Sequence, residues 1–359
     1  MSVIIRSATG PCQQMAPTSN GYPWQDGDIL DAADLNAAFA AVYDNAAAAY
    51  NNVGRNLIHN PLFNIAQRGA GPYTGGFQYT LDRWCIANFN DTYSITQNIL
   101  IDSARTSIGD EEAVYSLQNN FTGNAAAGSF SYLQQRIESV RRLANHTVTI
   151  SFWAACASGA LKLGVNMLQN FGTGGSPAAP VQALAVGATV TLSSTYTRFS
   201  VTLSVPSVIG KTFGTNPGSD YSVLQFFYST SAGNAGAGNI GVQSGIIALW
   251  GVQLEIGTIA TPLEKLGPRY DLSNCQRFYA SPTFNYGGSI TAGNVLAYSL
   301  SLPVTMRAAP TIFSQFTSQV NLSSPGVNAV DNTIMRVSAT GIGTSAFNLT
   351  GAFTASADL

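Results

Sequence analysis

The chain has 359 residues, more than the roughly 250–300 that a single hydrophobic core serves, so two or more folded units are expected. Charged residues make up only 9%, against about 25% in an average soluble domain, while 45% are apolar and 10% aromatic. That balance excludes a disordered chain, and a net charge of −2 from 16 basic and 18 acidic residues, well mixed, excludes a basic stripe for nucleic acid.

Ser, Thr, Asn, Gln and Gly stand where charges usually do. Such a surface suits packing against copies of the same chain, because few ions need desolvating, and it suits contact with sugars. A β-rich protein with long polar turns would share it. No apolar run approaches the roughly 18 residues of a membrane span, so no membrane insertion is expected. The opening MSVIIRSATG lacks the order of a secretory signal, which predicts synthesis in a cytoplasm. Cys12, Cys85, Cys156 and Cys275 form no C-x-x-C pair and are expected to be free buried thiols.

Residues 1–30 are punctuated by Pro11, Pro17, Gly21, Pro23 and Gly27, yet carry large apolar side chains. They read as an extended arm that docks on another protein, with Tyr22, Trp24, Ile29 and Leu30 as candidate anchors; the alternative is a tail folded back on its own chain. Residues 31–54 predict a helix. Asp31 is a good N-cap, Ala is abundant and Gly54 ends it. Leu35, Phe39, Val42, Ala46, Ala49 and Val53 form a short heptad seam. It fits a trimeric bundle, or an amphipathic helix lying on a neighbouring subunit.

From residue 55 helical spacing gives way to short segments rich in Val, Ile, Thr, Phe and Tyr, separated by Gly, Asn and Ser turns. Strands are expected at 93–101, 114–119, 129–137, 146–154, 161–166, 197–205, 222–228 and 246–254, and a short helix at 135–143. The expected fold is mostly β, with an antiparallel jelly-roll sandwich over 55–268. Two prolines and three charges between Thr261 and Tyr270 mark a boundary, followed by one or two helical turns within 271–279. Residues 269–359 are expected to form a small C-terminal β-sandwich, with strands at 289–300, 311–316, 333–339 and 346–353. No repeat of fixed period appears, which argues against a β-helix.

Nothing in the chain assembles a catalytic set. There is no G-x-S-x-G, H-E-x-x-H or Walker loop, and only two histidines, His59 and His146. No two carboxylates are paired by spacing as a glycosidase requires, and no D-x-D-x-D loop supports calcium. The expectation is therefore no enzyme, no cofactor and no metal. Trp84, Trp153 and Trp250 lie in apolar strands and are expected in the core. Tyr73, Phe77 and Tyr79 lie in a glycine-rich loop, where they would either stack on sugar rings or anchor the loop.

Two separated segments resemble phage tail-fibre and minor virion structural proteins. One is Asn56-Leu-Ile-His-Asn-Pro-Leu-Phe-Asn-Ile-Ala-Gln-Arg-Gly69 with Tyr79-Thr-Leu-Asp-Arg-Trp84; the other is Gly251-Val-Gln-Leu-Glu-Ile-Gly257, Ala260-Thr-Pro-Leu-Glu264 and Cys275-Gln-Arg-Phe-Tyr279. In that family they bracket a jelly roll similar to carbohydrate-binding modules. Residues 24–36 are similar to virion-attachment segments, and Thr305–Thr311 resembles a run that follows the jelly roll. The resemblance covers roughly residues 56–280 and carries no catalytic residue. It implies a homotrimeric tail fibre or appendage in the virion, held through its arm by another virion protein and reaching a host-surface glycan. A decoration, collar or baseplate protein without receptor binding is the alternative, and a capsule depolymerase a more remote one.

Overall fold

A computed structural model describes residues 54–157 and 159–359. The arm residues Tyr22, Trp24, Ile29 and Leu30, the seam residues Leu35, Phe39, Val42, Ala46, Ala49 and Val53, and Cys12 lie outside the described residues.

Alternation of apolar and polar side chains builds two antiparallel sheets. One runs in the order β1 (Gln78–Tyr79), β2 (Trp84–Phe89), β5 (Phe130–Glu138), β11 (Tyr221–Thr230), β7 (Lys162–Asn170), β8 (Val181–Gln182), with β9 (Ala188–Thr191) also on β7. The other runs β10 (Thr197–Ser204), β6 (Thr147–Cys156), β12 (Ser244–Ile256), β4 (Tyr115–Thr122), β3 (Thr92–Ile99). They face each other as a jelly-roll sandwich. Trp84, Ile86, Leu133, Leu224 and Phe226 from the first sheet meet Ile95, Leu117, Phe121, Ile150, Phe152, Leu249 and Leu254 from the second in one buried cluster. In β12 the register slips between Trp250 and Gln253. Gly251 sits there at φ +61, where a Cβ would lie 2.8 Å from the Trp153 ring, so only glycine fits the bulge.

Two expectations in this sandwich are corrected. The segment 135–143 is not a helix: β5 continues to Glu138 and a single 3-10 turn, Val140–Arg142, follows. Its charges stand at alternate positions, Arg136 and Glu138, with buried Gln135 and Ile137 at the positions that alternate with them, which is strand periodicity. The strand expected to reach Ile101 stops at Ile99, and helix α1 (Asp102–Ile108) follows, with Asp102 in its first turn and Gly109 in the left-handed conformation at its end.

Helix α2 (Pro268–Gln276) begins with Pro at its first turn, earlier than the expected start at 271. Beyond it a second core forms around Met306, Met335, Val337, Leu349 and Phe353. β19 (Ser345–Ser356) pairs with β13 (Tyr279–Ala280) and β14 (Thr283–Ile290) along one edge and with β16 (Thr311–Val320) along the other. The facing sheet is β15 (Val295–Ser301), β18 (Ile334–Gly341), β17 (Leu322–Ala329). The single strand expected over 289–300 is two strands in different sheets, because Thr291-Ala-Gly-Asn294 turns the chain, with Gly293 at φ +82. β17 was not foreseen, since Pro325 and a register slip between Ser323 and Gly326 mask its alternation.

The segments singled out in the sequence meet in one buried network. Asn56 donates its backbone N–H to Glu264 (2.5 Å) and its side-chain amide to Val252 O, while its Oδ1 accepts from Ile58 and Leu254. Asn60, fully buried at φ +52, donates its N–H to Asp271 Oδ1 at 2.9 Å and its amide to Ile65 O and Asp82 O; its own carbonyl accepts from Trp84 Nε1 at 3.1 Å. Asp82 in turn accepts from the Gln67 N–H and amide. Cys85, Cys156 and Cys275 are free and buried.

His59 lies in this network with its N–H and carbonyl clamped by the Gln135 amide at 2.8 and 2.9 Å. Burial, then the charges of Arg83, Arg142 and Arg277, hold its pKa down at about 3. Between that value and the unfolded value of 6.5 the unfolded chain binds the extra proton, so stability falls as pH falls through that window. His59→Asn should flatten the acid limb by up to about 1.4 kcal/mol per pH unit, read from urea midpoints between pH 4 and 6.5; an unchanged limb would refute it. Asn60→Ala should cost about 3 kcal/mol by the same measurement, from lost hydrogen bonds and a strained left-handed backbone. Asn60→Gly, which keeps that backbone, should recover about 1 kcal/mol of it.

Candidate functional site

The core-facing residues of the seven-stranded sheet determine what its other face carries. With Trp84 and Ile86 inward, Cys85, Ala87 and Phe89 of β2 point outward. With Leu133 and Ile137 inward, β5 presents Phe130, Tyr132, Gln134 and Arg136. In register with these, β11 presents Tyr221, Val223, Gln225 and Phe227, and β7 presents Asn166 and Leu168. Aromatic rings therefore run across one end of this face. Phe89 meets Phe130 (6.4 Å between centroids), Phe130 stacks on Tyr132 (5.3 Å), and Tyr132 leans on Phe227 (5.0 Å). At the other end the Arg136 guanidinium lies 5.1 Å from the Phe77 ring and 4.8 Å from Tyr221. The middle is closed over: Gln182 donates to Gln225, Gln134 contacts the Cys85 thiol, and Gln134, Gln225 and Phe227 are buried.

Two pieces of chain border the face. On the side of β7 the Asn166 amide holds Leu184 O and Gly236 O, fixing the loops after β8 and β11 above the sheet. At the arginine end the last residues of the chain come down on it. Asp358 pairs with Arg68 and lies 3.6 Å from Arg83. The backbone oxygen of Leu359 accepts from Arg136 and, at 2.9 Å, from the Tyr79 hydroxyl. Arg83 is itself buried over the Phe278 ring (3.3 Å) and donates to Arg136 O. The terminal residues thus join the two sandwiches.

Of the three loop aromatics named from sequence, Phe77 and Tyr79 reach this face, edge to face at 6.4 Å, with Phe77 55% exposed. Tyr73 does not join them: its backbone bridges Ile95 at the edge of the five-stranded sheet and its hydroxyl donates to Gly69 O. Burial raises the Tyr73 phenol to about 12 and pushes that of Tyr79 up as well. Sequence reasoning missed Phe89, Phe130, Tyr132, Tyr221 and Arg136. Their signal was the alternation of β2 and β5 itself, which separates outward from inward once a partner sheet is known. Trp84 and Trp250 are fully buried, Trp153 partly. Among the described residues no three His, Cys, Asp or Glu side chains gather as metal ligands.

No family model matches the chain, and no curated protein matches it. Several solved structures do. A family 11 carbohydrate-binding module from Clostridium thermocellum, in complex with a β-1,3-1,4-mixed-linked tetrasaccharide, is 9% identical, with 53% of this chain and all of that one covered at a TM-score of 0.31. The CBM22-1 xylan-binding domain from Paenibacillus barcinonensis is 11% identical over 57% of this chain and 96% of that one, at 0.30. A mannan-recognising carbohydrate-binding module is 12% identical over 51% and 98%, at 0.27. Identities and superpositions this low carry no ligand from those proteins to this chain.

Asp358→Asn should cost about 3 kcal/mol in urea denaturation, because it leaves the buried Arg83 without its carboxylate. A change below about 1 kcal/mol would show that the terminal contact is dispensable.

Proposed function

We propose that this chain is a non-enzymatic structural subunit of a bacteriophage virion, a homotrimeric tail-fibre or appendage protein assembled in the host cytoplasm. In this proposal residues 1–30 hold it to another virion protein, and the outer face of its seven-stranded sheet meets a host-surface glycan. One observation carries the proposal. The segments that resemble phage fibre proteins lie some two hundred residues apart in sequence, yet they interlock through Asn56–Glu264, Asn56–Val252, Asn56–Leu254 and Gln67–Tyr279. Strings that resemble those of one family and that together close a single sandwich here support reading the resemblance as structural. The glycan half is supported by the part of the face that stays open: the exposed rings of Phe77 and Phe89 and the half-buried Phe130, Tyr132 and Tyr221 for sugar C–H surfaces, the half-buried Arg136 guanidinium for hydroxyls, and few charges to desolvate. Three linked copies would make a shallow site sufficient.

Antibody labelling of purified particles should mark an appendage. In affinity gels containing host surface polysaccharide the full chain should be retarded, and Phe77→Ala with Tyr132→Ala should weaken retardation about tenfold, the ~1.4 kcal/mol expected of losing ring stacking. Labelled particles with no retardation would favour the decoration, collar or baseplate alternative. Particles without the chain would end the virion proposal.

A further inference from the structure

The C-terminal sandwich has four edges, and they are treated unequally. β16 carries a register slip between Phe316 and Ser318, and β17 carries Pro325 and a slip of its own; the tight turn at Asn321 joins the two. Bulges and prolines are the usual devices that stop an edge from accepting another strand. β14 and β15 have neither. Their registers against β19 and β18 run without a slip, and Thr283-Phe-Asn-Tyr-Gly-Gly-Ser-Ile290 and Val295-Leu-Ala-Tyr-Ser-Leu-Ser301 contain no charge and no proline.

These two edges share one flank. The turn Thr291–Asn294 joins them, and the Tyr286 and Tyr298 rings stack across them at 4.2 Å and 5°. A depression of about 540 Å³ opens there beside Ile290, Leu296 and Thr344. The core is not closed on this side. Leu296, Tyr298, Leu300 and Tyr286 alternate into it and pack on it, but stay only partly buried.

The geometry points to this flank as the contact with a second copy of the chain, β14 of one copy adding to β15 of the next. A contact between copies repeats every charge it contains, so an edge shared by copies is best left uncharged, as these are. From Tyr279 to Leu359 the only charged residues are Arg307, Asp331, Arg336 and Asp358. Arg336, on β18 opposite Ser299, is on the outer face of its sheet and not at the edge. Because the two edges belong to different sheets of the sandwich, pairing one with the other is head-to-tail, the kind of contact that makes a ring where the rotation between copies closes. The inference rests on the self-assembly proposed above and names a surface for it within residues 283–301.

The test uses the full chain, by sedimentation for mass and amide hydrogen exchange for the edges. Wild type should sediment as a multimer with the amides of β14 and β15 protected. Ser289→Lys with Ala297→Lys, both at exposed positions, should speed their exchange at least tenfold, while Gln315→Lys on β16 should not. A multimer whose β14 and β15 amides exchange freely, or whose protection survives both lysines, overturns the edge contact and leaves self-assembly standing. A wild-type monomer overturns both.

Discussion

Every polar atom of Asn60 is engaged, and the jelly roll closes around that fact. Its backbone N–H fixes helix α2 through Asp271, its side chain ties the first described segment to the turn before β2, and its carbonyl receives the indole of Trp84 at the centre of the core. A chain poor in charge must pair its buried polar groups with amides, hydroxyls and backbone, since orphaned ones cost about 1–3 kcal/mol each. Asn56, Gln67, Gln135 and Gln253 serve the same end at neighbouring positions.

One group of the remaining charges gathers where the two sandwiches meet. Arg68 and Arg83 face Asp358, Arg136 holds Leu359, and Arg277 pairs with Glu138. Guanidinium groups suit this place because they stack on rings while they donate, as Arg83 does on Phe278 and Arg68 on Tyr279 at 3.5 Å. One joint thus links the C-terminal sandwich, the end of the chain and the arginine end of the outer aromatic face. A change there would alter the reach of that face as well as stability.

Strand positions were legible in stretches such as 147–156 and 197–204, because a period of two is a local signal. The helix expected over 135–143 failed through composition: four charges in a short run suggest a solvated helix, but Arg136 and Glu138 have only to point away from the core. β17 was hidden by Pro325, and the turn between β14 and β15 by the uninterrupted apolar pattern around Thr291–Asn294. Phe77 and Tyr79 stood out because glycines surround them. Phe130 and Tyr132 did not, being indistinguishable in sequence from the core residues that alternate with them.

By itself, then, the sequence determined the class of fold, the alternation of many of its strands, and the buried tryptophans Trp84 and Trp250. Each depends on residues close together in the chain. Tertiary structure alone decided that Asn56 meets Glu264, that Asp358 lies against Arg68 and Arg83, and that Phe89, Phe130, Tyr132 and Phe227 share one face. Which side of a strand is outside depends on where the other sheet packs, and pairing over two hundred residues leaves no local periodicity to read.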